Sequence, residues 1–149
     1  MATWKDIENA EPGFAARVRA IFDAHKHKTI ATLRADGSPR ISGIEAGFDG
    51  GELTFGSMPR ARKGDDLHRD PRFALHSASV DPPEGDEAGW PGDAKVAGRA
   101  VPAGPVDGMP GEMFRAEIDE VVVTGLNAAA TALVIETWTP GRGLRRVER

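Results

Sequence analysis

From residue 29 to residue 139 the chain reads as a series of short apolar segments separated by turn-forming residues, and this pattern constrains the fold most. Turns are marked by Ala35-Asp36-Gly37-Ser38 and by Asp49-Gly50-Gly51, which favour tight hairpins. Such turns predict an antiparallel meander for the first three strands. We predict seven strands, at Thr29–Arg34, Arg40–Phe48, Glu52–Gly56, Arg72–Ser79, Ala94–Ala103, Met113–Leu126 and Ala132–Thr139.

Helical patterns occur at the start of the chain and once between strands. Residues 12–26 carry apolar side chains at helical spacing, with a shorter helix expected around Trp4–Asn9 and another over Pro59–Arg69. The apolar face of the helix expected at residues 12–26 consists of Phe14, Val18, Ile21 and Phe22. Because strands do not alternate with helices, we predict a mainly β split barrel rather than a doubly wound sheet. No linker interrupts the pattern, so residues 1–149 are expected to form one domain.

Composition narrows the possible functions. The formal net charge is -4, whereas nucleic-acid-binding domains usually carry a strong basic excess, so no nucleic-acid partner is expected. The absence of cysteine excludes disulfides, thiol nucleophiles and Cys-ligated metals. No apolar run approaches the roughly 20 residues of a membrane helix, and the N-terminus does not resemble a signal peptide. We therefore expect a cytoplasmic protein without a membrane partner.

The segment Ser57–Lys63 is the strongest candidate for chemistry. A strand ends there, and the predicted helix would begin with Arg60, Arg62 and Lys63, although cations are unfavourable near the positive end of a helix dipole. A bound anion would resolve this conflict, because backbone N–H groups, a hydroxyl, a guanidinium and an ammonium would converge on it. The local pattern equally allows these cations to point into solvent or to pair with Asp65 and Asp66.

The order of these segments resembles the pyridoxamine 5′-phosphate oxidase-like split-barrel family. The matching parts are A-T-L-R-x-D-G-x-P-R at Ala31–Arg40, S-x-P-R-A-R-K-G-D-D-L at Ser57–Leu67, Arg69–Leu75 and A-K-V-A-G-R-A at Ala94–Ala100. The resemblance implies a homodimer with two cofactor sites at the subunit interface. It implies FMN as the cofactor, with the deazaflavin coenzyme as the alternative, and a small-molecule substrate for an oxidoreductase.

The resemblance also assigns roles to residues. Arg62 and Lys63 would hold the cofactor phosphate with help from Ser57, and the segment Ile41-Ser42-Gly43-Ile44 would lie along the flavin ring. Some members of the family carry an arginine where this chain has Ser42. For the longer anionic tail of a deazaflavin, Arg60 and Arg142 would be the additional cations.

The C-terminal segment is similar to the end of the true oxidases of this family. On that basis Trp138 and Arg149 would reach the cofactor of the other subunit, and Arg145 would face the substrate. The family's histidine is replaced by Val147, the position of its substrate lysine falls near Gly47, where this chain has no lysine, and the chain contains no tyrosine, so pyridoxal phosphate synthesis is not expected. The alternative is a solvated cationic tail.

Other polar residues give weaker signals. His25, Lys26 and His27 fit a solvated helix C-terminus better than a metal site. The acidic segment 80–93 is expected to be an exposed loop, in which Trp90 would cap a ligand pocket or form a dimer contact. Residues 104–111 are expected to form a second loop. Two non-enzymatic functions stay open beside the oxidoreductase, a flavin or haem carrier and a dimeric scaffold with an empty site.

Overall fold

A computed structural model describes residues 1–105, 108 and 110–149. Its helices are α1 (Trp4–Ala10), α2 (Pro12–Asp23) and α3 (Arg62–Arg69), with a 3₁₀ turn at Glu87–Gly89. Its strands are β1 (His27–Leu33), β2 (Pro39–Asp49), β3 (Glu52–Ser57), β4 (Arg72–His76), β5 (Asp93–Pro105), β6 (Glu112–Leu126), β7 (Leu133–Thr139) and β8 (Gly143–Glu148). The predicted mainly β architecture is confirmed.

The strands form one antiparallel sheet in the order β3-β2-β1-β4-β5-β6-β7-β8, and β3 also pairs with β6. That additional pairing closes six strands into a barrel, while β7 and β8 extend the sheet beyond it. Strand β6 makes both arrangements possible because its two halves have different partners. Residues 112–115 pair with β3, and residues 121–126 pair with β7.

The core fills the barrel and continues under the N-terminal helices. Alternate residues of the strands point inward, as Leu53 and Phe55 do on β3, and are fully buried. On α2 the predicted apolar face is confirmed, with Phe14, Val18 and Phe22 buried and Ile21 partly buried. Helix α1 adds Trp4 and Ile7 and begins with a capping box between Thr3 and Asp6.

Three predicted boundaries were wrong for local reasons. Helix α2 ends at Asp23 rather than at residue 26, because the chain turns there and His27 already pairs with Glu45. Helix α3 begins at Arg62 rather than at Pro59, because Arg60 has a left-handed φ of 66° and Ala61 is extended. Strand β4 ends at His76, three residues earlier than expected.

Strand β8 is a further correction, since the prediction contained seven strands and assigned no strand to residues 140–149. Six residue pairs join β8 to β7, from Thr139 with Gly143 to Val134 with Glu148. Strand β5 also runs to Pro105, into the segment 104–111 that was predicted to be a loop. Within that segment, residues 106, 107 and 109 lie outside the described part of the chain.

Candidate functional site

A cavity of about 600 Å³ opens between β2, β3 and the start of α3, and we call it the β2–α3 cavity. It exists because β2 and β3 diverge. Residues 39–45 of β2 pair with β1, and only residues 46–49 pair with β3, whose end turns away to β6. The cavity is lined by Lys26, His27, Lys28, Gly43, Ile44, Glu45, Ala46, Gly47, Thr54, Gly56, Ser57, Met58, Lys63, Pro110, Glu112 and Met113.

Four of the predicted cofactor residues, Gly43, Ile44, Ser57 and Lys63, line this cavity together. Ile41 and Ser42 precede them on β2 without lining it, and the side chain of Ile41 is 76% exposed on the outer face of the barrel. Arg62 is exposed at the first position of α3 beside the cavity. The structure therefore brings the middle of β2 and the start of α3 to one place.

The first turn of α3 packs closely on the end of β3. A Cβ atom on Gly64 would stand 2.7 Å from the Oγ of Ser57, so the lack of a side chain lets the helix approach. The N-cap residue Ala61 provides no side-chain hydrogen bond to the first turn. The first N–H groups of a helix have no partner within it. The backbone N–H groups of Arg62 and Lys63 also have no partner elsewhere among the described residues, so they are available to a ligand.

The cations near this helix do not pair with its acidic residues, although the sequence allowed such pairs. Among the described residues, no carboxylate lies within salt-bridge distance of Arg60, Arg62 or Lys63, and Asp66 is engaged elsewhere. Arg60 is not part of the first helical turn, which corrects the expected group of three cations to Arg62 and Lys63. These two remain as charges that an anion would neutralise.

Buried Asp66 fastens α3 to the barrel. Its carboxylate accepts hydrogen bonds from Thr32 on β1 at 2.7 Å, from Arg40 on β2 at 2.7 Å and from Arg69 at 2.8 Å. Burial acts to raise the pKa of Asp66, but these three donors outweigh it and hold the pKa below its usual value. The network keeps the start of α3 in a defined position against β1 and β2.

A carboxylate that the sequence did not single out also faces the cavity. Glu112 on β6 pairs in register with Ser57, and the Nε2 atom of His68 lies 2.7 Å and 2.9 Å from its two carboxylate oxygens. The imidazole also packs against Phe114, with 5.5 Å between the ring centroids. His68 thus holds the Glu112 carboxyl group beside Ser57.

The predicted C-terminal residues lie on two different faces. In the pairing of β7 with β8, Trp138 stands opposite Leu144, and its side chain is buried in the core at 5% exposure. Arg145 and Arg149 are exposed and project from the opposite face of the hairpin, because side chains alternate along a strand. None of the three lines the β2–α3 cavity of its own chain.

A second cavity of about 810 Å³ lies between α2, β7 and the loop that contains Trp90. The indole Nε1 of Trp90 donates to the carbonyl of Val80 at 2.7 Å, so the ring forms a fixed wall. Arg17 and Glu136 form a bidentate ion pair at 2.6 Å and 2.8 Å on another side. Trp90 therefore borders this second cavity rather than the β2–α3 cavity. The exposure predicted for residues 80–93 is confirmed at residues 80–89, whereas Gly92 is buried and Asp93 begins β5.

The histidines do not combine into a metal site. In the part of the chain that the structure describes, no group of three or more His, Asp or Glu side chains is arranged to bind a metal ion. His25 borders the second cavity and His27 the β2–α3 cavity, and both are exposed. None of the described helices is long and apolar enough to cross a membrane.

Comparison with known proteins gives one family. A family model described as pyridoxamine 5′-phosphate oxidase matches residues 14–120. None of the curated proteins shows significant sequence similarity to the chain. The matched region contains β2, β3 and α3, and therefore most of the residues that surround the β2–α3 cavity.

Solved structures with the same fold have low sequence identity to the chain. A pyridoxamine 5′-phosphate oxidase-related, FMN-binding protein from Nostoc punctiforme is 13% identical, with 100% of this chain and 98% of that chain covered and a TM-score of 0.60. An F420 reductase is 16% identical, with coverage of 73% and 95% and a TM-score of 0.52. A haem-binding protein from Mycobacterium smegmatis is 14% identical, with coverage of 89% and 86% and a TM-score of 0.55.

Proposed function

Because the chain belongs to the pyridoxamine 5′-phosphate oxidase family, we propose that it is an oxidoreductase that binds a flavin-type cofactor in the β2–α3 cavity. The observation that carries the proposal is the meeting of Gly43, Ile44, Ser57 and Lys63 around one cavity. The cofactor is FMN or the deazaflavin coenzyme F420, and it supplies the hydride chemistry when bound. The substrate is a small organic molecule.

The phosphate of the cofactor fits the start of α3. Lys63 contributes an ammonium and Ser57 a hydroxyl to the cavity, while the first N–H groups of α3 and the guanidinium of exposed Arg62 lie next to them. The two cations have no carboxylate partner among the described residues, so a dianionic phosphate would balance them. This donor set suits a ribityl phosphate and does not distinguish FMN from F420.

The flavin ring fits the divergent part of β2. The backbone of residues 43–45 is paired with β1 but not with β3, so one edge of this segment has free polar groups. Gly43 and Gly47 line the cavity, and a Cβ on either would meet no atom within 4 Å, so the ring can approach the strand closely. Backbone N–H and C=O groups of β2 would then meet the polar edge of the ring.

We further propose a homodimer that completes each site. Ile41, Ala31, Ala74 and Val122 contribute to an outer face of the barrel that contains an open cavity of about 460 Å³, and Ile41 is largely exposed there. A second copy of the chain would cover this apolar face. It would also be the source of Arg145 and Arg149, which do not reach the cavity of their own chain.

Spectroscopy of the purified protein tests the proposal. FMN and F420 are titrated separately, and quenching of their fluorescence is followed together with the absorbance of the protein as isolated. Saturable binding of either cofactor supports the proposal. The absence of bound flavin in the isolated protein, together with no fluorescence quenching of either cofactor, would contradict the proposal.

A non-catalytic binding module is the second candidate, because the fold is shared with a haem-binding protein. Binding and turnover separate the two functions. A protein that binds FMN, F420 or haem but does not exchange electrons with any supplied donor and acceptor would be a carrier. Reduction of the bound cofactor and its reoxidation by an organic acceptor would support the oxidoreductase.

A further inference from the structure

Lys28 is a buried lysine on the wall of the β2–α3 cavity. It is 6% exposed and shares the inward face of β1 with Ile30 and Thr32. Lysine is rarely buried to this extent unless its charge has a partner. Its Nζ donates one hydrogen bond of 3.1 Å, to the carbonyl of Lys26, which also lines the cavity. The bond keeps the ammonium at this edge of the cavity.

The ammonium has donors that the described protein does not use. It carries three N–H bonds, and one of them is engaged. Among the described residues no carboxylate lies within salt-bridge distance of Lys28, and the nearby Glu45 pairs with Lys26 at 3.6 Å. Burial lowers the pKa of Lys28, although the carboxylates of Asp23 on α2 and Glu45 on β2 act in the opposite direction.

Lys28 lies on the side of the cavity away from the proposed phosphate site. In the sheet, β2 separates β1 from β3, and Lys28 pairs with Ile44 across the β1–β2 ladder. Ser57 and Lys63 lie on the other side, at the end of β3 and the start of α3. The cavity is therefore bordered by cationic groups on both sides of β2.

We infer that Lys28 binds an anionic oxygen group, a carboxylate or a phosphate, on the small-molecule substrate. This inference rests on the proposed function, in which Lys63 and Ser57 are occupied by the cofactor phosphate. A buried ammonium with free donors is stabilised when a charged oxygen accepts from it. The position of the family's substrate lysine falls near Gly47, which lines the same cavity and offers no cation. Lys28 on the neighbouring strand supplies one.

Lysine titration tests the inference at the ammonium itself. The chain has five lysines, so reductive methylation with ¹³C-formaldehyde gives few methyl signals in the NMR spectrum. Single Lys→Arg variants assign each signal to its lysine. The pKa of Lys28 is measured in the protein alone, with FMN, and with FMN plus acetate, benzoate or inorganic phosphate. We expect at least one added anion to raise the pKa of Lys28 by about one unit. Exposed Lys5 on α1 serves as the control and should not respond.

Binding to variants provides the second readout. Lys28→Met should weaken the binding of the responding anion to the FMN-loaded protein by about tenfold, and Lys28→Arg should retain most of it. In both variants the Kd of FMN should rise less than the Kd of the anion, because Lys28 lies across β2 from the proposed phosphate site. Circular dichroism and melting curves establish that each variant is folded.

Several results would overturn the inference. One is a pKa of Lys28 that none of the three anions changes. Another is a pKa shift that FMN alone produces in full, because the Lys28 ammonium would then contact the cofactor rather than the substrate. A Lys28→Met variant that binds the anion as tightly as the parent would also overturn it. If neither FMN nor F420 binds, the proposed function fails, and the anion titration of the cofactor-free protein still decides whether Lys28 is an anion site.

Discussion

The Oγ atom of Ser57 lies 2.7 Å from the position that a Cβ atom on Gly64 would occupy, and this contact joins the end of β3 to the start of α3. The Cβ of Ser57 would be 3.4 Å from the same point, and a carboxylate oxygen of Glu112 3.5 Å. A side chain at residue 64 would force the Ser57 hydroxyl to move. The position of this hydroxyl in the proposed phosphate site therefore depends on the absence of a side chain at Gly64.

Gly64→Ala should displace the Ser57 hydroxyl from the start of α3 and weaken the binding of FMN. Turning this hydroxyl away should cost about 1 kcal/mol in unfolding free energy, measured by chemical denaturation, and the Kd of FMN should rise. Ser57→Gly in the same chain should restore part of the stability by removing the clash. Gly13→Ala on α2 is the control, because a Cβ there meets nothing within 4 Å. Unchanged stability and FMN affinity in Gly64→Ala would contradict this account.

Asp66 should make the stability of the protein depend on acidic pH. Its pKa is lower in the folded state than in the unfolded chain, so its contribution is complete above the unfolded pKa and decreases as pH falls through the folded value. Thermal melts should therefore show a loss of stability below about pH 4. Asp66→Asn should remove this part of the pH dependence and destabilise the protein by about 3 kcal/mol at neutral pH.

Asp65→Asn is the matched control for that prediction, because Asp65 is the exposed neighbour on the same helix. It should change stability by less than about 0.5 kcal/mol. Equal effects of the two substitutions would show that the network around Asp66 does not fasten α3.

Substitutions of Glu112 and His68 should change the affinity for FMN in opposite directions. Glu112→Gln removes a negative charge that faces the same cavity as Lys63, so the affinity for FMN should increase several-fold. His68→Ala removes the group that offsets this carboxylate, so the affinity should decrease. Both are measured by fluorescence titration. A decrease of affinity in Glu112→Gln would mean that the carboxylate is part of the binding site.

Ile41 should contribute to the interface of the proposed homodimer. Ile41→Asp places a charge on the apolar outer face and should convert a dimer into a monomer, as measured by sedimentation equilibrium. Val80→Asp is the control, since Val80 is an exposed apolar residue that borders the second cavity instead. A wild-type protein that is monomeric at all concentrations, or a dimer that tolerates Ile41→Asp, would exclude this face as the interface.

The barrel was predictable because its strands bury every second side chain. That alternation, together with the turns at Asp36-Gly37 and Asp49-Gly50, carries most of the information about the fold. Strand β8 was not predicted because four of its six residues, from Arg145 to Glu148, are exposed and carry charges on both faces. Its formation depends on backbone pairing with β7, which has no local sequence signal.

The candidate site was predictable only in part. Ser57 and Lys63 were found because cations at a helix start are unusual, and Gly43 and Ile44 because of the family resemblance. Glu112 was missed since its partner His68 is 44 residues away in the chain, and neither has a distinctive neighbourhood. Lys28 was missed because a lysine at the start of a strand carries no local signal of burial, and this one becomes buried only in the folded chain.

The central claim is that Lys63, with Arg62, holds the phosphate of a flavin-type cofactor at the start of α3. FMN titration of Lys63→Ala, Arg62→Ala, the double variant and the control Lys5→Ala tests it most directly. We predict that the Kd of FMN rises at least about tenfold in Lys63→Ala, less in exposed Arg62→Ala, and most in the double variant. Lys5→Ala should bind FMN as the parent does. Unchanged FMN affinity in the double variant would contradict the account.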